Sequence, residues 1–367
     1  MLFAYPMVMT FSCRPVLAVI AATFLCGLAA KAGGDPELLI YDNDWNIPGS
    51  YIAQSSIMPL VTSPKIKILG FASVSGDCWR DEGTVSLLKF LEDVGLTDIP
   101  VVNGAVFPLV NTRDRLVQWE KTYGFIYWKG CWNDTDRFPN SHPTDPYKVA
   151  TLKEGMPTLQ ASTENAVTFM IRQVHAHPHQ VIIYEGGPLT NIALAIGLDP
   201  EFAGLAKELV FQGGRLRIGA GTEGLHSDFN IAFDPEAAHI ALAAPWAKII
   251  SVADVSDEYP LSKELIARLK EHPTPAIDYL VRNQNANLPL WEDVGSAIIA
   301  DPSLVTKSIE VAMDVDIDHG MTYGMTFAGS KDAVPRLGVA NVTVIQAIDS
   351  KRFLDAYVAA MQTVLKK

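Results

Sequence analysis

Asp42 and Asp44 close the apolar run Leu38-Leu39-Ile40-Tyr41, and Trp45-Asn46-Ile47-Pro48-Gly49 follows them. A short strand that ends in paired carboxylates suits a metal or sugar site. Similar endings recur along the chain: Ser75-Gly76-Asp77 after Ile66–Val74, Asn103-Gly104 after Pro100–Val102, Glu185-Gly186-Gly187 after Val181–Tyr184, Gln212-Gly213-Gly214 after Leu209–Phe211, and Asp254 after Lys248–Val252. Acids close four of these six endings, which favours a site over ordinary turns, although Gly, Asn and Asp also make turns and caps. Carboxylates and carbonyls with few His or Cys suit a hard cation such as calcium. Water on such a cation can lose a proton to a neighbouring carboxylate and attack an electron-poor carbon. Other chemistries lack their motifs, since there is no Gly-x-Ser-x-Gly elbow and no Walker-type phosphate loop.

Two further segments carry acids. In Ser227-Asp228-Phe229-Asn230, ahead of Asp234-Pro235, Asp234 reads as a helix N-cap with Pro235 as the first helical residue, while Asp228 and Asn230 are placed to face a ligand. In Leu290-Trp291-Glu292-Asp293 the acids either serve a site or complement a helix dipole. Trp45 and Trp79, each beside a candidate acid, are candidate substrate contacts. The aromatic stretch Trp119, Tyr123, Phe125, Tyr127, Trp128 and Trp132 reads first as a local packing cluster and second as a wall for a flat ligand.

These residues need a frame. The apolar runs read as strands buried on both faces, and amphipathic segments lie between them at Gly83–Val94, Thr163–Ala176 and Pro235–Ala243. Strand alternating with helix implies an α/β fold, an open and mostly parallel sheet flanked by helices, whose ligands bind beyond the carboxyl ends of the strands. Arg14, the apolar run Val16–Ala30 and Ala30-Lys31-Ala32 read as a signal peptide over residues 1–32, leaving a single domain over 33–367. The expectation is a secreted or periplasmic protein with no membrane anchor after cleavage. Cys78 and Cys131 would then remain as the cysteines of the mature chain, as a disulfide or as two buried thiols. A formal charge of −12 argues against a nucleic-acid polymer as partner.

Taken together, the pieces resemble the inosine-uridine-preferring nucleoside hydrolase family. The resemblance rests on Asp42-x-Asp44, Ile68-Leu69-Gly70 through Ser75-Gly76-Asp77, Asp98-Ile99-Pro100-Val101, Gly187-Pro188-Leu189-Thr190-Asn191-Ile192-Ala193, Gln212-Gly213-Gly214, Phe229-Asn230-Ile231 with Asp234-Pro235-Glu236, and Asp293 with Asp301-Pro302, in the family's order. It implies calcium at the carboxyl edge, holding the ribose hydroxyls and the attacking water. Carried over by position, Asp44 is ligand and general base, Asp293 a ligand, and Gly186 a ligand through its carbonyl. Asp42 orients these groups, and Asn230 and Asp228 bind ribose. The chain departs from the pattern at Pro48 and Gly49, where the family continues with two aspartates, one of them normally a calcium ligand. Asp77 and Glu292 stand where the family commonly has Asn and His, and Asp77 is a candidate replacement ligand. The implied activity is hydrolysis of the N-glycosyl bond of a small nucleoside or ribosyl compound. A non-catalytic sugar-binding protein and a metal-independent glycoside hydrolase stay open as alternatives, as does a homo-oligomer.

Overall fold

The structure, a computed structural model, describes residues 35–48, 51–133, 142–216, 228–330 and 339–365. The expected signal peptide and Gly49 lie outside the described residues. The chain from Pro36 to Lys367 is one compact unit.

Ten strands among the described residues make one sheet: β1 Glu37–Asn43, β2 Ile66–Ser73, β3 Val101–Asn103, β4 Ser162–Asn165, β5 Val181–Glu185, β6 Glu208–Phe211, β7 Ile249–Ser251, β8 Val305–Val315, β9 Thr326–Gly329 and β10 Ala340–Ile348. Their order is β4-β3-β2-β1-β5-β6-β7-β10-β8-β9. Pairing is parallel from β4 through to β10 and antiparallel for β10 with β8 and for β8 with β9. The central strands carry apolar residues on both faces because helices cover both. Leu39, Tyr41, Ile182 and Tyr184 enter one hydrophobic core, while Ile40, Val181 and Ile183 enter the other.

Register then brings the strand ends together. Asp42 pairs with Glu185 on β5 and with Ala72 on β2, so acids from adjacent parallel strands arrive side by side at the carboxyl edge. The six strands read from sequence all form. Pro235–Ala243 is a helix capped by Asp234, and Gly83–Val94 belongs to a helix that starts earlier, at Arg80. Thr163–Ala176 corrects differently: Ser162–Asn165 is an edge strand and the helix runs only over Ala166–Ala176. The Asn165 side chain accepts from the Val167 N–H and starts the helix there. No helix among the described residues is long and apolar enough to cross a membrane.

Candidate active site

Asp44 sits just past β1 in a tight cradle. Its Oδ2 accepts from the Asp77 N–H at 2.7 Å, and its own N–H donates to Asn43 Oδ1 at 2.9 Å. Gly76 and Gly187 close in so tightly that an added Cβ would lie 2.2 Å from Asp44 Oδ2 and 2.8 Å from Asp44 N respectively. Only glycine fits at these two strand ends, which explains their place in the motifs. Asp42, fully buried, is held by Asn191 Nδ2 at 3.1 and 2.9 Å from its two oxygens. Asn191 stands in the first turn of the Thr190–Leu198 helix and also accepts from the Ala105 N–H at 2.7 Å.

Glu185, in register with Asp42, spends Oε1 on the Gly187 N–H at 2.9 Å, and its buried Oε2 closes no hydrogen bond among the described residues, although the Asp42 carboxyl faces Glu185 closely enough to favour a shared proton. Glu292 and Asp293 enter from the first turn of the Trp291–Ala300 helix. Glu292 Oε2 and both oxygens of Asp293 are buried with no hydrogen-bond partner. The Ser55 and Tyr357 hydroxyls face Asp293 closely enough to favour its charged form, without closing a hydrogen bond.

Crowding of acids away from water sets their protonation. Burial pushes Asp42 up to about 6 and Asp293 to about 7, against opposing hydrogen bonds. Burial first, and then the negative charge of Asp77, holds Asp44 well above the usual carboxylate range. Glu185 is raised by burial and by Asp42, and Glu292 by burial and by Asp44 and Asp293. None of these five acids pairs with Lys or Arg among the described residues. Buried, acidic and oxygen-rich, with unspent lone pairs on Glu185, Glu292 and Asp293, the edge offers donors of the kind a hard divalent cation takes.

The remaining expected residues fall into different places. Asn230 donates to the Gly186 and Gln212 carbonyls, each at 2.8 Å, and so sets the direction of the Gly186 carbonyl. Asp228 is the N-cap of the short Phe229–Phe233 helix and also accepts from the Arg215 N–H at 3.0 Å, so its oxygens are taken structurally. Asp77 accepts from the Trp128 indole and, at 3.4 Å, from Asn46, one bond to each oxygen, which fixes its carboxylate beside Asp44. Its pKa still rises to about 6, chiefly by burial.

Trp45 is a correction. It is fully buried, its indole N–H donates to the Ala72 carbonyl at 2.7 Å, and its ring packs on Tyr41 and Phe71. The apolar strand faces draw it into the core, away from any ligand. Trp79 donates to the Pro143 carbonyl at 2.7 Å and lines a cavity of about 840 Å³ with Phe107, Glu120, Lys129 and His142. Pro48 lies in a turn, and the first helical turn among the described residues is Gln54–Ser56.

Cys78 and Cys131 are free buried thiols. Trp79, Trp119 and Trp132 pack with Ile126 and Phe233 in a small cluster, whereas Tyr123, Phe125 and Tyr127 are exposed. Sequence reasoning counted Glu185 among the strand-end acids but gave it no role in the site, and did not foresee Asn191 as the clamp on Asp42. A compact group of metal-capable side chains, His175, Asp199 and Glu201, lies away from this edge at the ends of two helices, with ligand atoms within 4.8 Å of one another.

A parallel sheet that gathers buried acids beyond its carboxyl strand ends defines an α/β protein built around a polar ligand. Comparison then gives the family. The model of the family described as inosine-uridine preferring nucleoside hydrolase matches residues 39–355, and the chain belongs to that family of N-glycosyl hydrolases. It is 29% identical over 356 residues to an uncharacterised protein of Schizosaccharomyces pombe, covering 90% of this chain and 86% of that one. It is 26% identical over 315 residues to the inosine-uridine preferring nucleoside hydrolase of Crithidia fasciculata, covering 82% and 91%. The purine-preferring ribonucleoside hydrolase of Gardnerella vaginalis shares the fold with a TM-score of 0.69 at 21% identity, over 89% of this chain and 98% of that chain.

Proposed function

We propose that the protein hydrolyses the N-ribosyl bond of nucleosides at the carboxyl edge of its sheet, with Asp44 as the group that takes the proton from water. The observation that carries this reading is the set of unspent buried carboxylate oxygens on Glu185, Glu292 and Asp293 around the cradled Asp44. Asp44, Asp293 and the Gly186 carbonyl are the residues that would hold a calcium ion, which when bound neutralises the acids, grips the ribose diol and acidifies water.

Each residue has a task in that scheme. Asp42, clamped by Asn191, keeps the end of β1 in place. Asn230 spends its amide on two carbonyls and keeps its Oδ1 to accept from a sugar hydroxyl. The raised pKa of Asp44 makes it a stronger proton acceptor than an exposed aspartate, provided it is ionised when substrate binds. As the C1′–N bond breaks, positive charge grows on the ribose, and the surrounding carboxylates stabilise it. The base is a small-molecule leaving group of unspecified identity. In our reading the chain is exported and acts on external nucleosides, as the N-terminal segment suggests.

Asp44→Ala is expected to lower base release from inosine or uridine by about 10²–10⁴-fold without unfolding the protein. Turnover close to wild type in that variant would remove Asp44 as the base.

A further inference from the structure

Attack by water accounts for one side of the bond only. The departing nucleobase carries away an electron pair and leaves faster if a proton meets it, so a donor on the leaving-group side is chemically useful.

Among the described histidines, His142 is set apart by its surroundings. Its Nδ1 lies 2.9 Å from Glu82 Oε2, and the two side chains are only 5% and 3% exposed. Glu82 is itself fixed, since the same oxygen accepts from the Trp79 N–H at 3.2 Å at the start of the Arg80–Val94 helix. With Nδ1 held by a carboxylate, Nε2 is the nitrogen left for the cavity that His142 lines. That cavity adjoins the site, because Trp79 lines it two residues from Asp77, whose N–H binds Asp44, and the charge of His142 reaches Asp77. Other donors in the cavity are worse placed: Lys129 is paired with Glu120 at 2.9 Å, and burial raises the Cys131 thiol.

We infer that His142, oriented by Glu82, is the proton donor to the departing nucleobase; the inference rests on the hydrolase reading above. The C1′–N bond breaks with its electron pair passing to the base, and the proton on His142 Nε2 passes to a ring nitrogen of that base. Water delivers hydroxide to C1′ and its other proton to Asp44. Release of that proton to solvent and uptake of one by His142 restore the starting state, so the sum is nucleoside plus water giving base plus ribose. The Glu82 carboxylate orients the ring for transfer, as an orienting acid does for a catalytic histidine.

The structural alternative is that His142 and Pro143 merely staple their segment to Trp79 and Glu82. His142→Asn separates the two, because an asparagine amide can replace the Nδ1–H donor to Glu82 but cannot supply the proton. The test measures His142→Asn and wild type on inosine, uridine and 4-nitrophenyl β-D-riboside, whose phenolate leaves without a proton. Expected is a loss of about 10²–10⁴-fold on the nucleosides with little change on the nitrophenyl riboside. His142→Ala should show the same split. Equal losses on both substrate types would reduce His142 to a staple, and undiminished nucleoside cleavage would overturn its role outright. Wild-type protein that cleaves neither substrate would overturn the hydrolase reading and this inference with it, an outcome distinct from active wild type and an unaffected variant.

Discussion

Two regions near the sheet edge each present a pair of buried acids at helix starts, and they differ in what those acids have left to give. At the Phe229–Ala243 corner, Asp228 caps its helix and accepts from Arg215, while Asp234 accepts from Thr190 Oγ1 at 2.7 Å, the Leu109 N–H at 2.9 Å and the Ala237 N–H at 3.2 Å. At the Trp291–Ala300 start, Glu292 Oε2 and both oxygens of Asp293 accept nothing. Both pairs favour a helix N-terminus electrostatically. A buried acid whose oxygens are spent holds structure together; one whose oxygens are unspent costs stability unless something else takes them. The second pair therefore fits the proposed cation site.

The sharpest way to break this contrast is to neutralise one acid of each kind. Asp293→Asn is expected to lower base release by about 10²-fold or more while raising the melting temperature of chelator-treated protein, since it removes an uncompensated buried charge. If activity survived, or the melting temperature fell as in a core mutant, Asp293 would join the structural class.

Proton linkage sharpens the same difference. Asp42 and Asp293 have folded values of about 6 and 7 against 3.8 for a free aspartate, so the folded state binds protons more tightly. In chelator, their contribution to stability is fully present below pH 4 and is lost as pH rises through about 7. The loss is on the order of 3 kcal/mol for Asp42 and 4 kcal/mol for Asp293. Urea titrations of chelator-treated protein from pH 4.5 to 8 check this, and stability that climbed over that range would contradict it. Added calcium should flatten the decline by favouring the ionised acids.

The structural acid predicts the reverse pattern. Asp234→Ala removes a cap and three accepted hydrogen bonds, and should cost about 1–3 kcal/mol of stability with KM and turnover of the folded fraction near wild type. Smallest of all is Trp79→Phe, which keeps an aromatic ring against Phe107 and deletes one bond to Pro143, a cost of about 0.5–1.5 kcal/mol by thermal unfolding.

Legibility in the sequence followed the same division. Strand ends were readable because period, apolar runs and terminal acids all coincide there, and these placed Asp42, Asp44 and Gly186 at one edge, whereas Asp293 joined them only through the family resemblance. Asp234 was readable as a cap because Pro235 marks the first helical residue. What could not be read depends on contacts far apart in the chain. Trp45 looks like a ligand wall by its place beside Asp44, yet the apolar face of β1 and Phe71 of β2 claim it. The Trp128 indole, from a segment after β3, that holds the Asp77 carboxylate could not be read from spacing either. The β8 and β10 pairing stayed hidden because half-exposed antiparallel strands lack the continuous apolar run that marks the central ones.

The central claim is that the unspent oxygens at the sheet edge serve a hard cation in nucleoside hydrolysis. Its most direct test is the initial rate of base release from inosine and uridine by chelator-stripped wild-type protein, before and after calcium is restored. The account predicts little base release in chelator and recovery on adding calcium, with no recovery in Asp293→Asn. Base release at the same rate in chelator as with calcium would contradict it.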